Sequence, residues 1–194
     1  MKKLYCFLVL GLLVCVGCGD RTPIHYTTAF DRGQAERQMR SGRNTVIANI
    51  FTRDPHNGTL KTCAGYDVIL LPATERAAEY IKILFGSATG GQLTNSRFAS
   101  INRRIVTDPN NNIYVSQRCD SDGLAVFNNI GDGEFYIAGG AGSCMYAGKV
   151  YVRGGETKKV VLSGTGVEYR KGFDYDHWYK NERRREWEAS KRKK

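Results

Sequence analysis

The chain has 194 residues, with 29 Lys and Arg against 19 Asp and Glu and a net charge of +10. That length accommodates one domain of ordinary size with extensions. The basic surplus favours anionic partners such as lipid head groups, cell-wall polymers or acidic proteins, and the leader at the N-terminus argues against nucleic acid.

Met1-Lys2-Lys3 is a short basic segment, followed by an almost unbroken apolar run from Leu4 to Val16. The run is short for a membrane-spanning helix and fits a secretory signal peptide over residues 1–17. It closes on Cys15-Val16-Gly17-Cys18, which resembles a bacterial lipobox, although Cys15 stands where Leu is usual. The resemblance implies that Cys18 becomes the lipidated first residue of the mature protein; an ordinary cleaved signal with an incidental cysteine is the alternative. Gly19 in place of Asp removes the usual inner-membrane retention signal. A bacterial envelope lipoprotein, in the outer membrane and facing the periplasm, is the resulting expectation, with Asp20 keeping the inner membrane open. Loss of Lys2 and Lys3 lowers the net charge by two, so the mature protein stays basic.

Cys6 and Cys15 leave with the signal, so Cys63, Cys119 and Cys144 remain in an oxidising compartment. An odd set permits one bridge and one free thiol. Cys63 and Cys119 each stand just before a predicted strand, which favours Cys63–Cys119 over Cys63–Cys144; three reduced cysteines are the other option. No C-x-x-C spacing suggests zinc.

Residues 18–44 read as a tether followed by a short helix. The helix opens at Asp31, with Gln34 as a capping-box partner, and Ser41-Gly42 closes it. Thr45–Phe51 is a β-branched first strand, and Asp54-Pro55-His56-Asn57-Gly58 is turn chemistry. Tyr66–Leu71 is apolar on both faces towards its end and so reads as a central strand stopping at Pro72. Thr74 then caps a helix whose Ala77, Ile81, Leu84 and Phe85 share one face and which Gly86 ends. Ser87–Asn112, rich in Gly, Ser, Thr and Asn, reads as a loop more readily than as a binding surface. Ile113–Gln117 is a short strand.

Arg118–Ile137 reads as a hairpin: the Asp120-Ser121-Asp122-Gly123 turn, the strand Leu124–Phe127, a reversal through Asn128–Gly133, and the strand Glu134–Ile137. Gly148–Arg153 and Thr157–Leu162 form a closing pair around Gly154-Gly155. Three patterns are present in order: "G-x-x-V-x-L-x-P" ending at Pro72, "D-x-D-G-x-x-x-F-x-x-I-x-x-G-x-F-Y" from Asp120, and "V-x-V-x-x-G-E-T-x-x-V-x-L" from Val150. Together they resemble the carboxypeptidase regulatory-like domains, which are transthyretin-like. The resemblance covers residues 45–163, with an insertion at about 74–112. It implies a mainly β fold, an antiparallel β-sandwich of about seven strands carrying an inserted helix. The core is expected at Val46, Ile50, Val68, Leu70, Phe127, Ile130, Phe135, Ile137, Val150, Val152, Val160 and Leu162.

Residues 164–194 form an aromatic and basic extension, read as helical from Lys180. Arg183, Arg184, Arg185, Lys191, Arg192, Lys193 and Lys194 are its possible contacts to an anionic surface, with a solvated terminal helix as the plainer reading. No catalytic residue is assigned, and no cofactor or metal. Only His25, His56 and His177 are present, none in H-E-x-x-H or H-x-x-E context, and neither G-x-S-x-G nor a P-loop occurs. Asp120-Ser121-Asp122-Gly123 lacks the later ligands of a calcium loop. The expectation is a non-enzymatic envelope lipoprotein that binds or scaffolds. The alternatives are an assembly lipoprotein of a secretion machine and, less favoured, a transthyretin-like hydrolase.

Overall fold

The computed structural model describes residues 22–54, 57–106 and 113–164. Cys18 and the basic positions from Arg183 to Lys194 lie outside the described residues. Nine strands and three helices are present among the described residues. They form the mainly β, two-sheet sandwich expected from the sequence.

The first sheet is built on β1 (Ser41–Arg53), whose residues alternate between buried and half-buried along most of its length. One edge of β1 pairs in parallel with β9 (Thr157–Gly164) over Thr45–Thr52. Its other edge therefore takes both β6 (Leu124–Ile130) and β2 (Leu60–Thr62), end to end and antiparallel. The second sheet has the order β4 (Gly90–Thr94), β8 (Cys144–Val152), β7 (Gly133–Ala141), β3 (Asp67–Pro72) and β5 (Val115–Arg118), all antiparallel.

Between the sheets lies the main core. Val46, Ala48, Ile50, Ala125, Phe127 and Ile130 face Val68, Leu70, Phe135, Ile137, Val150 and Val152, all buried. Val160 and Leu162 are only partly buried and pack against this core, as edge positions on β9. The Cys63–Cys119 disulfide is formed, with a Cα–Cα separation of 5.7 Å, and Cys144 is a buried free thiol. The bridge joins the end of β2 to the end of β5, and so ties the two sheets together.

Several expectations are corrected. Leu124–Ile130 and Glu134–Ile137 do not make a hairpin: β6 belongs to the first sheet and β7 to the second, so Gly131-Asp132 carries the chain across the sandwich. Likewise β8 and β9 do not pair around Gly154-Gly155, because β9 crosses to lie parallel to β1. The first helix, α1 (Arg32–Gln38), ends before Ser41, which already opens β1; its predicted cap holds, with Asp31 Oδ1 accepting from Gln34 N at 2.8 Å. A side chain at Gly42 would place its Cβ 2.4 Å from the Ile130 carbonyl oxygen, so the close β1–β6 approach beside the bulge requires glycine there.

The insertion is more ordered than its composition suggests. Thr74 caps α2 (Glu75–Phe85) by accepting from Ala77 N, and Gly86 ends it in the left-handed region at φ 77°. Ser87–Asn112, read as a loop, instead yields β4 and α3 (Asn95–Asn102). Helix α2 lays Ala77 and Ile81 over Tyr136, Ala138 and Ala147 on the outer face of the second sheet. That sheet is therefore covered on both sides, which is why β7 is buried almost throughout.

Candidate functional site

A cleft of about 400 Å3 opens where α2, the outer face of β3 towards its end and the N-terminal segment meet. Its floor is Ile69 and Leu71, the β3 residues that point away from the sandwich core. The walls are Tyr26 and Phe30 from the N-terminal segment, Arg76 and Tyr80 from α2, Asn102 from α3, and Tyr114 leading into β5. The periodicity of α2 explains the division of labour: Ala77 and Ile81 face the sheet, and Arg76 and Tyr80, each one residue earlier, turn to the cleft.

The N-terminal wall is held in place by polar contacts. Thr27 donates to Glu79 Oε1 from its backbone nitrogen at 2.7 Å and from its hydroxyl at 2.8 Å. Thr28 donates to Oε2 from its nitrogen at 3.0 Å and from its hydroxyl. Burial alone would raise the Glu79 pKa, but these bonds, that of the Thr28 hydroxyl foremost, hold it down at about 2. Ile24 bridges to Ile105, and Arg104 Nε donates to the Thr22 carbonyl at 2.9 Å. The stretch read as tether up to Thr28 is thus docked from Thr22 onward.

Within the cleft the guanidinium carbon of Arg76 lies 3.8 Å from the centre of the Tyr26 ring. Its Nε and Nη1 are buried and have no hydrogen-bond acceptor among the described residues. Tyr80 donates its hydroxyl to Asn102 Oδ1 at 3.1 Å. Burial, with Tyr26 adjacent, pushes the Tyr80 pKa up to about 12, so this phenol stays protonated near neutrality and serves as a donor. Burial also raises the Tyr26 pKa, against the opposing charge of Arg76. Tyr114 is half exposed, at 52 %, at the mouth. Aromatic walls, an apolar floor and a few fixed polar groups suit the binding of a small flat ligand.

The residues singled out from sequence are elsewhere. Cys63 and Cys119 are structural. Asp120 uses its carboxylate on its own turn, accepting from Asp122 N at 3.0 Å and Leu124 N at 2.8 Å. His25 is exposed on the N-terminal segment, outside the cleft lining. None of the cleft residues was marked as functional from sequence; the only available signal was the amphipathic α2, which placed Arg76 and Tyr80 off its buried face.

No protein-family model and no curated protein matches this chain. Among solved structures, the crystal structure of a Pseudomonas aeruginosa protein described as a candidate carbohydrate-binding protein aligns with a TM-score of 0.57 at 18% identity. The alignment covers 71% of this chain and 99% of that one. The likeness shows a shared fold.

Proposed function

We propose that this chain is a non-enzymatic binding module of a bacterial envelope, held at the outer membrane through a lipid on Cys18, and that the cleft receives a saccharide. The observation that carries the reading is the cleft itself. Tyr26, Phe30, Tyr80 and Tyr114 converge on one space of about 400 Å3, and aromatic faces complement the C–H faces of sugar rings while their hydroxyls meet sugar oxygens. The fold shared with a candidate carbohydrate-binding protein supports the same reading. Tyr80, whose hydroxyl donates to Asn102 Oδ1, offers its ring face to a ligand and is held in place by that bond. The kinship with carboxypeptidase regulatory-like domains, carried by the three β motifs, belongs to this proposal as well.

The test uses the mature chain without its lipid on an array of envelope and plant-type glycans, beside Tyr114→Ala. Tyr114 is exposed enough to be removed without disturbing the core. Capture of a glycan by the parent and at least ~5-fold weaker binding by the variant, at equal thermal stability, is the expected result, since stacking contributes on the order of 1 kcal/mol. An array with no capture, or capture indifferent to Tyr114, would overturn the proposal.

A further inference from the structure

We infer that the saccharide taken by this cleft is acidic and that Arg76 is the residue that selects it; this rests on the saccharide reading above and narrows it. Arg76 stands in the first turn of α2 with its guanidinium flat against Tyr26. Nε and Nη1 are buried without an acceptor among the described residues. The carboxylate best placed to pair with it, Glu79 one turn along the same helix, is instead occupied by Thr27 and Thr28. Among the described residues that line the cleft there is no Asp or Glu. The described walls therefore present one positive charge without a hydrogen-bonded acceptor beside flat aromatic surface.

A buried charged donor without a partner is unfavourable, and a carboxylate is the acceptor that relieves it best, because its two oxygens match the guanidinium fork. In the stacked pose Nε and Nη1 are shielded, so engagement turns the guanidinium edge off the Tyr26 face toward the ligand. Asn102 adds a second donor: its Oδ1 accepts from Tyr80 and its amide nitrogen makes no hydrogen bond among the described residues. A uronic acid ring fits this pattern, with its carboxylate on Arg76 and its ring face on the tyrosines. A neutral sugar would leave the charge unmatched.

The probes are an array of neutral and uronate-bearing glycans, followed by titration calorimetry of a captured uronate oligomer against its methyl ester. Arg76→Gln and Arg76→Lys are tested beside the parent, with thermal unfolding as the folding control. The parent should bind the uronate roughly 10–100-fold more tightly than the ester, in line with a charge-assisted pair. Arg76→Gln should abolish the preference for the acid, so that uronate and ester bind equally whatever their common affinity. Arg76→Lys, which keeps the charge and loses the fork, should fall between the parent and Arg76→Gln. The Arg76 Nε–H resonance should shift on adding uronate and stay in place with the ester. Capture of neutral glycans alone, or equal affinity for acid and ester, would overturn the inference while the saccharide cleft stands. Capture of no glycan would overturn both. A preference for the acid that survives Arg76→Gln would assign the selectivity elsewhere and likewise overturn it.

Discussion

Asn44 is fully buried, yet both ends of its amide are engaged. Its nitrogen donates to the Ile130 carbonyl at 3.0 Å and to Asp132 Oδ1 at 2.8 Å, and its oxygen accepts from Gly155 N at 2.8 Å and Glu156 N at 3.0 Å. One side chain thus joins the start of β1 to both crossings between the sheets. Asn44→Ala would remove the partner of the buried Ile130 carbonyl and of the Gly155 and Glu156 N–H groups, and we expect a loss of about 2–4 kcal/mol in urea unfolding. Asp132 belongs to the same junction: bonds from Asn44 and the Gly154 N–H hold its carboxyl below the usual range. Glu79 does for the cleft wall what Asn44 does for the sandwich. Its folded pKa of about 2 lies below the ordinary value of 4.5, so its contribution is complete above pH ~4.5 and is lost as pH falls through about 2. Hydrogen exchange at the Thr27 and Thr28 amides should stay slow at pH 5. It should become fast in Glu79→Ala at the same pH, and unchanged exchange in that variant would contradict the docking role.

At the scale of elements, β6 and β7 show how the sandwich is closed. Phe127 from β6 and Phe135 from β7 enter the same core from opposite sheets, at 1% and 0% exposure. Phe127→Ala should cost about 3–5 kcal/mol, measured as a shift of the denaturation midpoint at constant slope. A neutral Phe127→Ala would contradict this packing. Helix α2 has a dual role, with one face completing the cover of the second sheet and the adjacent face supplying Arg76 and Tyr80 to the cleft. Tyr136 on β7 reinforces this cover by donating its hydroxyl to the Ala88 carbonyl just after α2.

For the whole molecule, the docked N-terminal segment relates the cleft to the proposed anchor. Only four peptide steps separate Cys18 from Thr22, where Arg104 holds the chain, and so few residues span at most about 14 Å. A lipid on Cys18 would therefore keep the edge of the helical insertion near the membrane, with the cleft beside it. Intact-mass analysis of the native protein should show a mature terminus at Cys18 with added acyl mass, and Cys18→Ser should release the protein into the soluble envelope fraction. A mature terminus elsewhere without acyl mass would remove the anchor. The proposed role of Arg183–Arg185 and Lys191–Lys194 is tested by binding of the unlipidated chain, with and without residues 180–194, to anionic vesicles. Binding should depend on the tail and weaken as salt shortens the Debye length below ~10 Å; equal binding by both would dismiss it.

What the sequence determined by itself was local. Asp31 and Thr74 as caps, Gly86 as a stop, the alternation of Val46 to Ile50 and the inward set on β3 all depend on chemistry within a few residues. The Cys63–Cys119 pairing was also legible, because each cysteine stood at the mouth of a strand. Strand partnership was not. Asn, Asp and Gly shape a tight hairpin and a crossing between sheets equally well, so Asn128–Gly133 and Gly154-Gly155 looked like hairpin turns. Only the burial of Phe127 and Phe135 in one core, from opposite sheets, decided otherwise. β4 was hidden for a related reason: Gly-Gly-Gln-Leu-Thr has little strand character, and pairing with β8 imposes its form. The cleft was the least legible feature. Tyr26, Arg76, Asn102 and Tyr114 are far apart in the chain, and Tyr26 joins the others because Glu79, Ile105 and Arg104 dock the N-terminal segment, contacts between distant residues that no local pattern encodes.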